Sequence, residues 1–436
     1  MNARSNPSSR RTRPPRTSQP LRVGVIAGPY IPVPPPAYGG TETMIHNLCV
    51  GLDRLGHEVH LVTVGDSTCP VRRSAVFEGP PGSIGEPTAE IVHARAAYAV
   101  LGDVDVIHDH TAIGPQLGSG TNGGIPVVTT VHGPFTPELR MMHATRPPGL
   151  ALVAISHAQR AMAPDLDIDA VIHHGVDLDL HRPGPGGGGY LMSIGRMSPD
   201  KGPDRAIEIA RRAGLPLVLA AKMREPGEIA YFEDHVRPLL GPDVTFVGEA
   251  DVDTRLDLLR HAEALLNPIL WPEPFGLVMA ESLACATPVL AFRRGAAPEI
   301  VDDGTTGFLC DDLDDMVAAV ERLGELDRAA CRAAAAERFS RERMATDHQT
   351  LYARLAGRAR LDLDLDLDLD LDLDLEKLDG VGEPALRPGA DGAAAGTVTS
   401  FDPARGRGRR RAGLRRRGSG TRGPAADSVA DPVAEA

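Results

Sequence analysis

The sequence predicts an α/β protein of two Rossmann-like domains that face a cleft. Short apolar strands alternate with amphipathic helices along residues 21–360, a pattern typical of parallel sheets. One stretch, HRPGPGGGG at residues 181–189, interrupts the alternation with Pro and Gly and predicts a hinge between two domains. The length of 436 residues accommodates both domains and additional terminal segments.

The first domain, residues 21–180, is predicted to begin with a βαβ unit. Its strands are Leu21–Ala27 and Glu58–Val64, and the helix between them runs from about Thr41 to Leu55. The helix is indicated by apolar residues at helical spacing, namely Met44, Ile45, Leu48, Cys49, Leu52 and Leu55. Further strands are expected at residues 105–108, 126–131, 152–156 and 170–173.

The second domain, residues 181–340, is predicted to repeat this alternation. Its strands are expected at residues 190–194, 215–220, 244–247, 264–267 and 288–291, and its helices at residues 203–212, 253–261, 277–285 and 329–337. A final helix is expected at residues 341–358. Open parallel sheets bind ligands at the carboxyl ends of their strands, so the cleft between the domains is the predicted binding site.

The two ends of the chain have a different composition from the domains. Residues 1–20 contain five Arg, several Ser and Pro and no acid, which favours a disordered leader over a transit peptide. Residues 361–375 alternate Leu and Asp without interruption, and an Arg/Gly-rich segment follows. We interpret residues 359–436 as a low-complexity, disordered tail.

Composition and charge exclude several classes of protein. The net charge is −13, and the ends account for +5 (residues 1–20), −8 (361–376) and +4 (377–436), which leaves −14 for residues 21–360. The core therefore offers no electrostatic reason to bind nucleic acid. No segment has the 18 to 20 apolar residues, roughly, of a membrane span. We expect a cytoplasmic protein, with peripheral contact at the inner face of a membrane left open.

The five cysteines are scattered and form no CxxC pair. This spacing argues against both a disulfide framework and a thiolate zinc site. The candidate metal ligands are instead His108, Asp109, His110 and His132, because His108 and His110 would share one face of a strand. Polar groups at strand ends are more often parts of loops or active sites, so no metal is expected.

Three segments carry the candidate binding residues. Gly39 and Gly40 open the first helix, where two glycines allow a ligand to approach the backbone amides, although a glycine pair is often a simple turn. Arg196 and Lys201 follow the first strand of the second domain, and cations at this edge suit a diphosphate. The alternative to a diphosphate site is that Arg196 and Lys201 are two solvated charges on the protein surface.

The third segment is WPEPFGLVMAESLACATPV. Glu273 is placed in a loop bracketed by prolines, Gly276 opens the following helix and Glu281 lies within it. The loop carboxylate can accept hydrogen bonds from sugar hydroxyls, and the amides at the helix start can bind a phosphate. The second carboxylate can accept hydrogen bonds from the two hydroxyls of a ribose. For Glu281 the alternative is a solvated helix face.

In this order the motifs resemble the family 4 retaining glycosyltransferases of the GT-B fold. The resemblance spans about residues 21–358 and rests on GG at 39–40, R-x4-K at 196–201 and E-x7-E at 273–281. The segments YGGTE, VIHHGVD and FRRGAAPEIVDDGTTGFL resemble the avilamycin-type subgroup. The sequence departs from the family at Ala286, where the family usually has Gly after the Cys.

The resemblance implies roles for the candidate residues. Positions matching Arg196 and Lys201 bind the donor diphosphate, together with backbone amides of Gly276, Leu277 and Val278. Positions matching Glu273 and His132 hold the transferred sugar, and the position matching Glu281 binds the nucleotide ribose. Catalysis is assigned to Arg196, Lys201 and Glu273, which leaves Gly39, Gly40, His132, Gly276, Leu277, Val278 and Glu281 as binding residues.

The expected reaction is transfer of a hexose, with retention, from a nucleotide diphosphate sugar, with UDP-sugars favoured over GDP-sugars. Neither a cofactor nor a metal is expected. The acceptor is left open among sugars, lipid-linked compounds and small molecules, in polysaccharide, glycolipid or natural-product assembly. Two alternatives are a hydrolysing sugar-nucleotide 2-epimerase and a non-catalytic nucleotide-sugar binding protein.

Overall fold

The computed structural model describes residues 19–37, 39–118 and 122–357. Within them, two parallel sheets with helices on their faces follow each other along the chain. This arrangement confirms the predicted fold class of two Rossmann-like domains. The expected leader and tail lie outside the described residues, apart from positions 19 and 20.

The first sheet has seven parallel strands in the order β3-β2-β1-β4-β5-β6-β7. The strands are β1 (Arg22–Ile26), β2 (Glu58–Thr63), β3 (Arg72–Ala75), β4 (Val106–Asp109), β5 (Val127–Thr130), β6 (Leu150–Ala154) and β7 (Ala170–Val171). The helices of this domain are α1 (Gly40–Arg54), α2 (Pro87–Val100), α3 (Gly114–Gly118), α4 (Pro137–Ala144) and α5 (His157–Ala161).

The second sheet has six parallel strands in the order β10-β9-β8-β11-β12-β13. They are β8 (Leu191–Arg196), β9 (Leu217–Lys222), β10 (Val244–Gly248), β11 (Ala264–Asn267), β12 (Val289–Phe292) and β13 (Gly307–Cys310). The helices are α6 (Pro203–Arg212), α7 (Pro226–Tyr231), α8 (Val252–His261), α9 (Leu277–Ala284), α10 (Ala297–Ile300), α11 (Leu313–Glu321) and α12 (Arg328–Arg338).

Both sheets reverse their strand order at the centre. The chain leaves β1 for β2 on one side and returns to β4 on the other, and β8 has the same relation to β9 and β11. In the central strands, four of the five residues of β1 and the first three residues of β8 are buried, and the last three residues of β8 are partly exposed. Burial of the apolar residues is expected for strands covered by helices on both faces. At such a reversal the loops after the two central strands diverge and leave a crevice.

The last helix, α13, covers residues 341–357 and packs on the first domain. Its buried residues Met344, Ala345, Leu351 and Tyr352 belong to the same apolar cluster as β1 and α1. The approach to α1 is close, because a Cβ at Gly51 would lie 2.8 Å from the Cβ of Ala345. This helix therefore joins the end of the second domain to the core of the first.

Several elements were not predicted. These are β3, β13, the short helices α3, α4, α5, α7 and α10, and the longer helices α2 and α11. The strand β3 is mostly exposed and has the sequence RRSA, which carries no apolar alternation. Among the described residues, no helix combines the length and apolar character that crossing a membrane requires.

Candidate functional site

Arg196 and Lys201 lie at the carboxyl end of the central strand of the second sheet. Arg196 is the last residue of β8, and its Nη2 is 3.4 Å from Asp200 Oδ2, a long contact that leaves one third of the side chain exposed. Lys201 folds back toward the strand, because a Cβ at Gly195 would lie 3.5 Å from Lys201 Cγ. Both cations are therefore placed at the reversal of the strand order.

Lys201 and Glu273 form an ion pair at this edge. Lys201 Nζ donates to Glu273 Oε2 at 2.5 Å, and both side chains are less than one fifth exposed. The ammonium also lies 5.4 Å from the centre of the Trp271 ring, within range of a cation–π interaction. Two residues 72 positions apart are thus brought into contact, with opposite charges in a partly desolvated site.

The loop that carries Glu273 leads directly into α9. Gly276 precedes the helix in the left-handed conformation (φ +87°), and a Cβ there would lie 2.6 Å from Met279 Cε. The first amides of the helix, at Leu277 and Val278, have no carbonyl one turn earlier within the helix. The helix start therefore offers donors beside the Lys201–Glu273 pair, and glycine at 276 meets both the conformation and the space available.

Glu281 is buried within α9 and is only 3% exposed, which excludes a solvated helix face. Its Oε2 accepts a hydrogen bond from Arg255 Nη1 at 2.8 Å, and its Oε1 lies 3.7 Å from His181 Nε2. Burial raises the pKa of Glu281, but the charge of Arg255 and the neighbouring His181 outweigh it and lower the pKa to about 2. Glu281 is therefore a carboxylate at neutral pH.

In the first domain, Gly39 and Gly40 begin α1. The Gly39 carbonyl accepts from the amide and hydroxyl of Thr43, while a Cβ at Gly39 would lie 2.8 Å from Pro35 Cβ. A Cβ at Gly40 would meet nothing within 4 Å, so this glycine borders open space. Glu42 lies in the same turn, and burial raises the pKa of its carboxyl to about 7.

His132 follows β5 and belongs to a cluster of imidazoles. Its Nε2 lies 3.0 Å from His110 Nδ1, and its ring centre lies 5.4 Å from that of His174. Burial, with a smaller contribution from His348, lowers the pKa of His132 to about 4. The ring is therefore neutral at pH 7, as a hydrogen-bonding partner for a sugar hydroxyl should be.

Of the four candidate metal ligands, His110 and His132 contact each other, and His108 and Asp109 are engaged by other groups. His108 has Tyr352 Oη at 2.6 Å from Nδ1 and Thr130 Oγ1 at 2.9 Å from Nε2. The Asp109 carboxyl accepts from Tyr98 and from Thr111. In the part of the chain that the structure describes, no group of three or more His, Cys, Asp or Glu side chains could hold a metal ion.

The two domains meet where the candidate residues lie. The Phe275 ring, two positions after Glu273, is 5.0 Å from the His174 ring, and His174 in turn stacks on His132. The structure thus links the His132 side of the first domain to the Glu273 loop of the second. The contacts of Gly39 and Gly40 among the described residues lie within α1 and the loop before it, so their part in the same site stays a prediction.

Four residues near the site were not predicted from the sequence. Arg255 pairs with Glu281, His174 joins His132 to Phe275, Glu42 lies beside the glycine pair, and Glu299 bridges the two domains. Glu42, His174 and Glu299 lie in YGGTE, VIHHGVD and FRRGAAPEIVDDGTTGFL, the segments that resemble the subgroup, but the resemblance gave them no role. Arg255 lies in none of these segments, and its pairing with Glu281 depends on the fold.

Two family models match the chain over most of its described length. Residues 38–180 match Glycosyltransferase Family 4, and residues 188–325 match Glycosyl transferases group 1. The D-inositol 3-phosphate glycosyltransferase of Mycolicibacterium paratuberculosis (strain ATCC BAA-968 / K-10) is 28% identical over 360 residues, covering 67% of this chain and 79% of the relative. The enzyme of that name from Mycolicibacterium smegmatis is 26% identical, covering 73% and 87%.

Solved structures agree with the family models. AviGT4, a glycosyltransferase involved in avilamycin A biosynthesis, is 28% identical, with a TM-score of 0.58 over 78% of this chain and 98% of AviGT4. Anabaena HepE shares the fold, with a TM-score of 0.60 over 76% of this chain and 99% of HepE at 18% identity. These matches give no support to an epimerase or to a non-catalytic binding protein. The chain belongs to the family 4 glycosyltransferases of the GT-B fold and is an enzyme.

Proposed function

We propose that the enzyme transfers a hexose from a nucleotide diphosphate sugar to an acceptor, with retention of the anomeric configuration. The observation that carries the proposal is the Lys201–Glu273 ion pair, 2.5 Å long, beside the start of α9. It combines a cation for the leaving diphosphate with a carboxylate for the sugar hydroxyls, at the edge where parallel sheets bind ligands. Arg196 adds a second cation.

In this proposal, catalysis consists mainly of stabilising negative charge. As the glycosidic bond breaks, charge develops on the β-phosphate, and Arg196, Lys201 and the amides at Gly276, Leu277 and Val278 stabilise it. Glu273 holds the transferred sugar by its hydroxyls, and His132 approaches the same sugar from the first domain. With these residues in place of a metal, the reaction proceeds without a divalent cation, and EDTA should leave turnover unchanged.

Glu281 is proposed to bind the nucleotide ribose. Arg255 engages Oε2, while Oε1 has only the more distant His181, so lone pairs remain for a ribose diol. The donor is proposed to be a UDP-sugar, with GDP-sugars as the alternative. HepE, a protein of the same fold, was crystallised with UDP-glucose, which makes that compound the first donor to test.

The acceptor is proposed to be a sugar, a lipid-linked compound or another small molecule. The relatives named D-inositol 3-phosphate glycosyltransferase and AviGT4 suggest inositol phosphates and natural products as the first acceptors to test. We also propose that the protein works in the cytoplasm, where nucleotide sugars are the available donors, with peripheral membrane contact if the acceptor is lipid-linked.

The test begins with a thermal-shift screen of UDP- and GDP-sugars, since a matched donor stabilises the fold by mass action. Donors that raise the melting temperature are incubated with an acceptor panel, and product configuration is read by NMR. The proposal expects an α-linked product from an α-linked donor. An inverted product would contradict retention, and a screen in which no nucleotide sugar stabilises or reacts would contradict the donor class.

A further inference from the structure

One carboxylate of the second domain accepts three hydrogen bonds from the first. Glu299 lies on α10, and its Oε2 accepts from the amide of His157 at 2.9 Å and lies 2.8 Å from His173 Nε2. Its Oε1 accepts from the amide of Ala158 at 2.6 Å. We name Glu299, His157, Ala158 and His173 the interdomain clasp.

The partners of Glu299 lie on two separate loops of the first domain. His157 and Ala158 are the first residues of α5, directly after β6, and His173 follows β7. Both positions are at the carboxyl edge of the first sheet, the edge that also carries His132 after β5. The clasp therefore fixes the second domain to the ligand-binding edge of the first.

The same short segment of the second domain supports the loop of Glu273. The amide of Ala296 donates to the Glu273 carbonyl at 3.0 Å. The backbone of Gly295 passes so close that a Cβ there would lie 2.4 Å from the Glu273 carbonyl oxygen. Residues 295–299 thus contact the backbone of Glu273 at one end and the first domain at the other.

Ring contacts give a second connection between the clasp and the Glu273 loop. The Phe275 ring lies 5.8 Å from His173, whose imidazole reaches Glu299, and 5.0 Å from His174. Phe339, just before α13, lies 6.0 Å from both Phe275 and His173. A shift of Glu299 would therefore displace the Glu273 loop, because residues 295–296 contact the backbone of Glu273 and His173 contacts Phe275.

We infer that Glu299 is a positioning residue of the transfer reaction, which holds the Glu273 loop at a fixed place opposite His132. This inference rests on the proposed roles of Glu273 and His132 at the transferred sugar. Transfer is sensitive to such placement, because a misplacement of about 1 Å can lower the rate by about 10²-fold. A fixed approach of the two domains also excludes water that would hydrolyse the donor.

The charge of Glu299 suits this role. Burial raises the pKa of the carboxyl, but His173 and the two amides of His157 and Ala158 outweigh burial, so the pKa is lowered below its usual value. Glu299 is therefore a carboxylate at neutral pH. Both its oxygens accept hydrogen bonds, which a neutral amide could reproduce on one side only.

The test is Glu299→Gln, a substitution of nearly the same size. One side of the new amide carries an NH2 group that faces a donor of the first domain. We expect turnover to fall about tenfold, while the Kd for UDP stays within about twofold, because Arg196, Lys201, Glu281 and the start of α9, the groups proposed to bind UDP, all lie in the second domain. The fraction of donor that is hydrolysed rather than transferred should rise. Amide exchange in residues 155–160 should become faster.

Asp302→Asn provides the matched control. Asp302 lies three residues after Glu299 and pairs with Arg338 Nη2 at 3.0 Å, within the second domain. This variant also loses a carboxylate but leaves the clasp intact, so turnover and the hydrolysed fraction should match the parent enzyme. Melting temperatures of all three proteins show whether either substitution acts through the fold.

Two outcomes would overturn the inference. If Glu299→Gln weakens UDP binding as strongly as it lowers turnover, Glu299 supports the second domain rather than the placement of the sugar site. If turnover, hydrolysis and exchange in residues 155–160 are all unchanged, the clasp has no effect. Absence of transfer by the parent enzyme with every donor would instead contradict the proposed function, and the exchange measurement would still report on the clasp.

Discussion

At the scale of single residues, the charged side chains at the site differ in how firmly they are paired with one another. Lys201 and Glu273 are paired with each other, and Arg196 makes only a long contact with Asp200. A bound diphosphate would compete with Glu273 for Lys201 and bring its own negative charge to both cations. The donor would thus release the Glu273 carboxylate for the sugar hydroxyls.

The first prediction concerns these two cations. Replacing Arg196 or Lys201 by Ala removes a charge that acts on the developing diphosphate, so turnover should fall about 10²-fold or more with the fold intact. Steady-state kinetics and melting temperatures check the result. Arg211→Ala is the control: Arg211 lies on α6 and pairs with Asp243, just before β10, so its loss should leave turnover unchanged. Near-normal turnover in either test variant would remove that cation from the mechanism.

The second prediction separates the two carboxylates. Glu273→Gln should impair transfer more than binding of UDP, whereas Glu281→Gln should weaken UDP binding as well. Glu281→Gln should also lower the free energy of unfolding by about 3 kcal/mol, because it removes the buried carboxylate that pairs with Arg255. Titration calorimetry and urea unfolding give both quantities. The opposite ranking in UDP affinity would show that the assigned roles are wrong.

Some residues of the site could be predicted from the sequence and others could not. Arg196, Lys201, Glu273 and Glu281 could be named because their types and spacing match family motifs. Arg255 and Glu299 could not, because Arg255 pairs with a side chain 26 residues away and Glu299 accepts from backbone amides and an imidazole 126 to 142 residues away. A single sequence shows neither the burial of Glu281 nor the three donors that surround Glu299.

At the scale of elements, strands with strong apolar patterns were predicted and weakly patterned ones were not. The central strand β1 is buried over four of its five residues and β8 over its first three, and the sequence indicates both within two residues of their ends. The edge strand β3 is largely exposed, so it needs no apolar residues. The helix α2 is rich in Ala and has little contrast between its faces, so its helical periodicity is weak.

The third prediction concerns the end of α9. Ala286 follows this helix with φ +63°, a left-handed conformation that is costly for a residue with a Cβ. Ala286→Gly relieves this strain but makes the unfolded chain more flexible, so the net gain should be about 0.5–1 kcal/mol in the free energy of unfolding. Urea unfolding measures it.

The control for Ala286→Gly is Ala284→Gly. Ala284 is the last residue of α9 and is fully buried. Glycine there weakens the helix and leaves a gap, so the free energy of unfolding should fall by about 1 kcal/mol. If both substitutions destabilise the protein equally, the left-handed conformation at Ala286 is not strained.

At the scale of the whole molecule, histidines of the first domain and of α13 are buried against one another. His108, His110 and His174 have pKa values lowered well below the ordinary value, and for each of them burial is the largest cause. The pKa values of His132 and His348 are lowered to about 4. These imidazoles join strands β4 and β5 to α13, so the contact between the last helix and the first domain depends on keeping them neutral.

The fourth prediction follows from the sign of these shifts. An imidazole that stays neutral in the fold but binds a proton near pH 6.5 when unfolded favours the unfolded state in acid. The stability that depends on these neutral imidazoles is complete above about pH 6.5 and should be lost as the pH decreases toward 4, by up to about 1.4 kcal/mol per pH unit for each such group. The carboxyls of Glu42 and Asp109, whose pKa values are raised to about 7, act in the opposite direction but are fewer. Urea unfolding between pH 7.5 and 4.5 measures the slope.

Replacing His348 by Gln tests the origin of that slope. The imidazole of His348 is buried and hydrogen-bonded to the Met344 carbonyl, within the helix that closes on the first domain. Without it, the number of protons taken up on unfolding should decrease by up to one. If the free energy of unfolding of this variant has the same dependence on pH as that of the parent protein, His348 does not contribute to the acid sensitivity.

The central claim is that the carboxyl edge of the second sheet binds the donor diphosphate. Hydrogen–deuterium exchange with and without UDP or GDP tests it most directly, because it needs no acceptor. We predict that one of the two nucleotides slows exchange in residues 196–202 and 274–282, which contain Lys201 and the first amides of α9. Slowed exchange confined to the first domain, or no change with either nucleotide, would contradict the account.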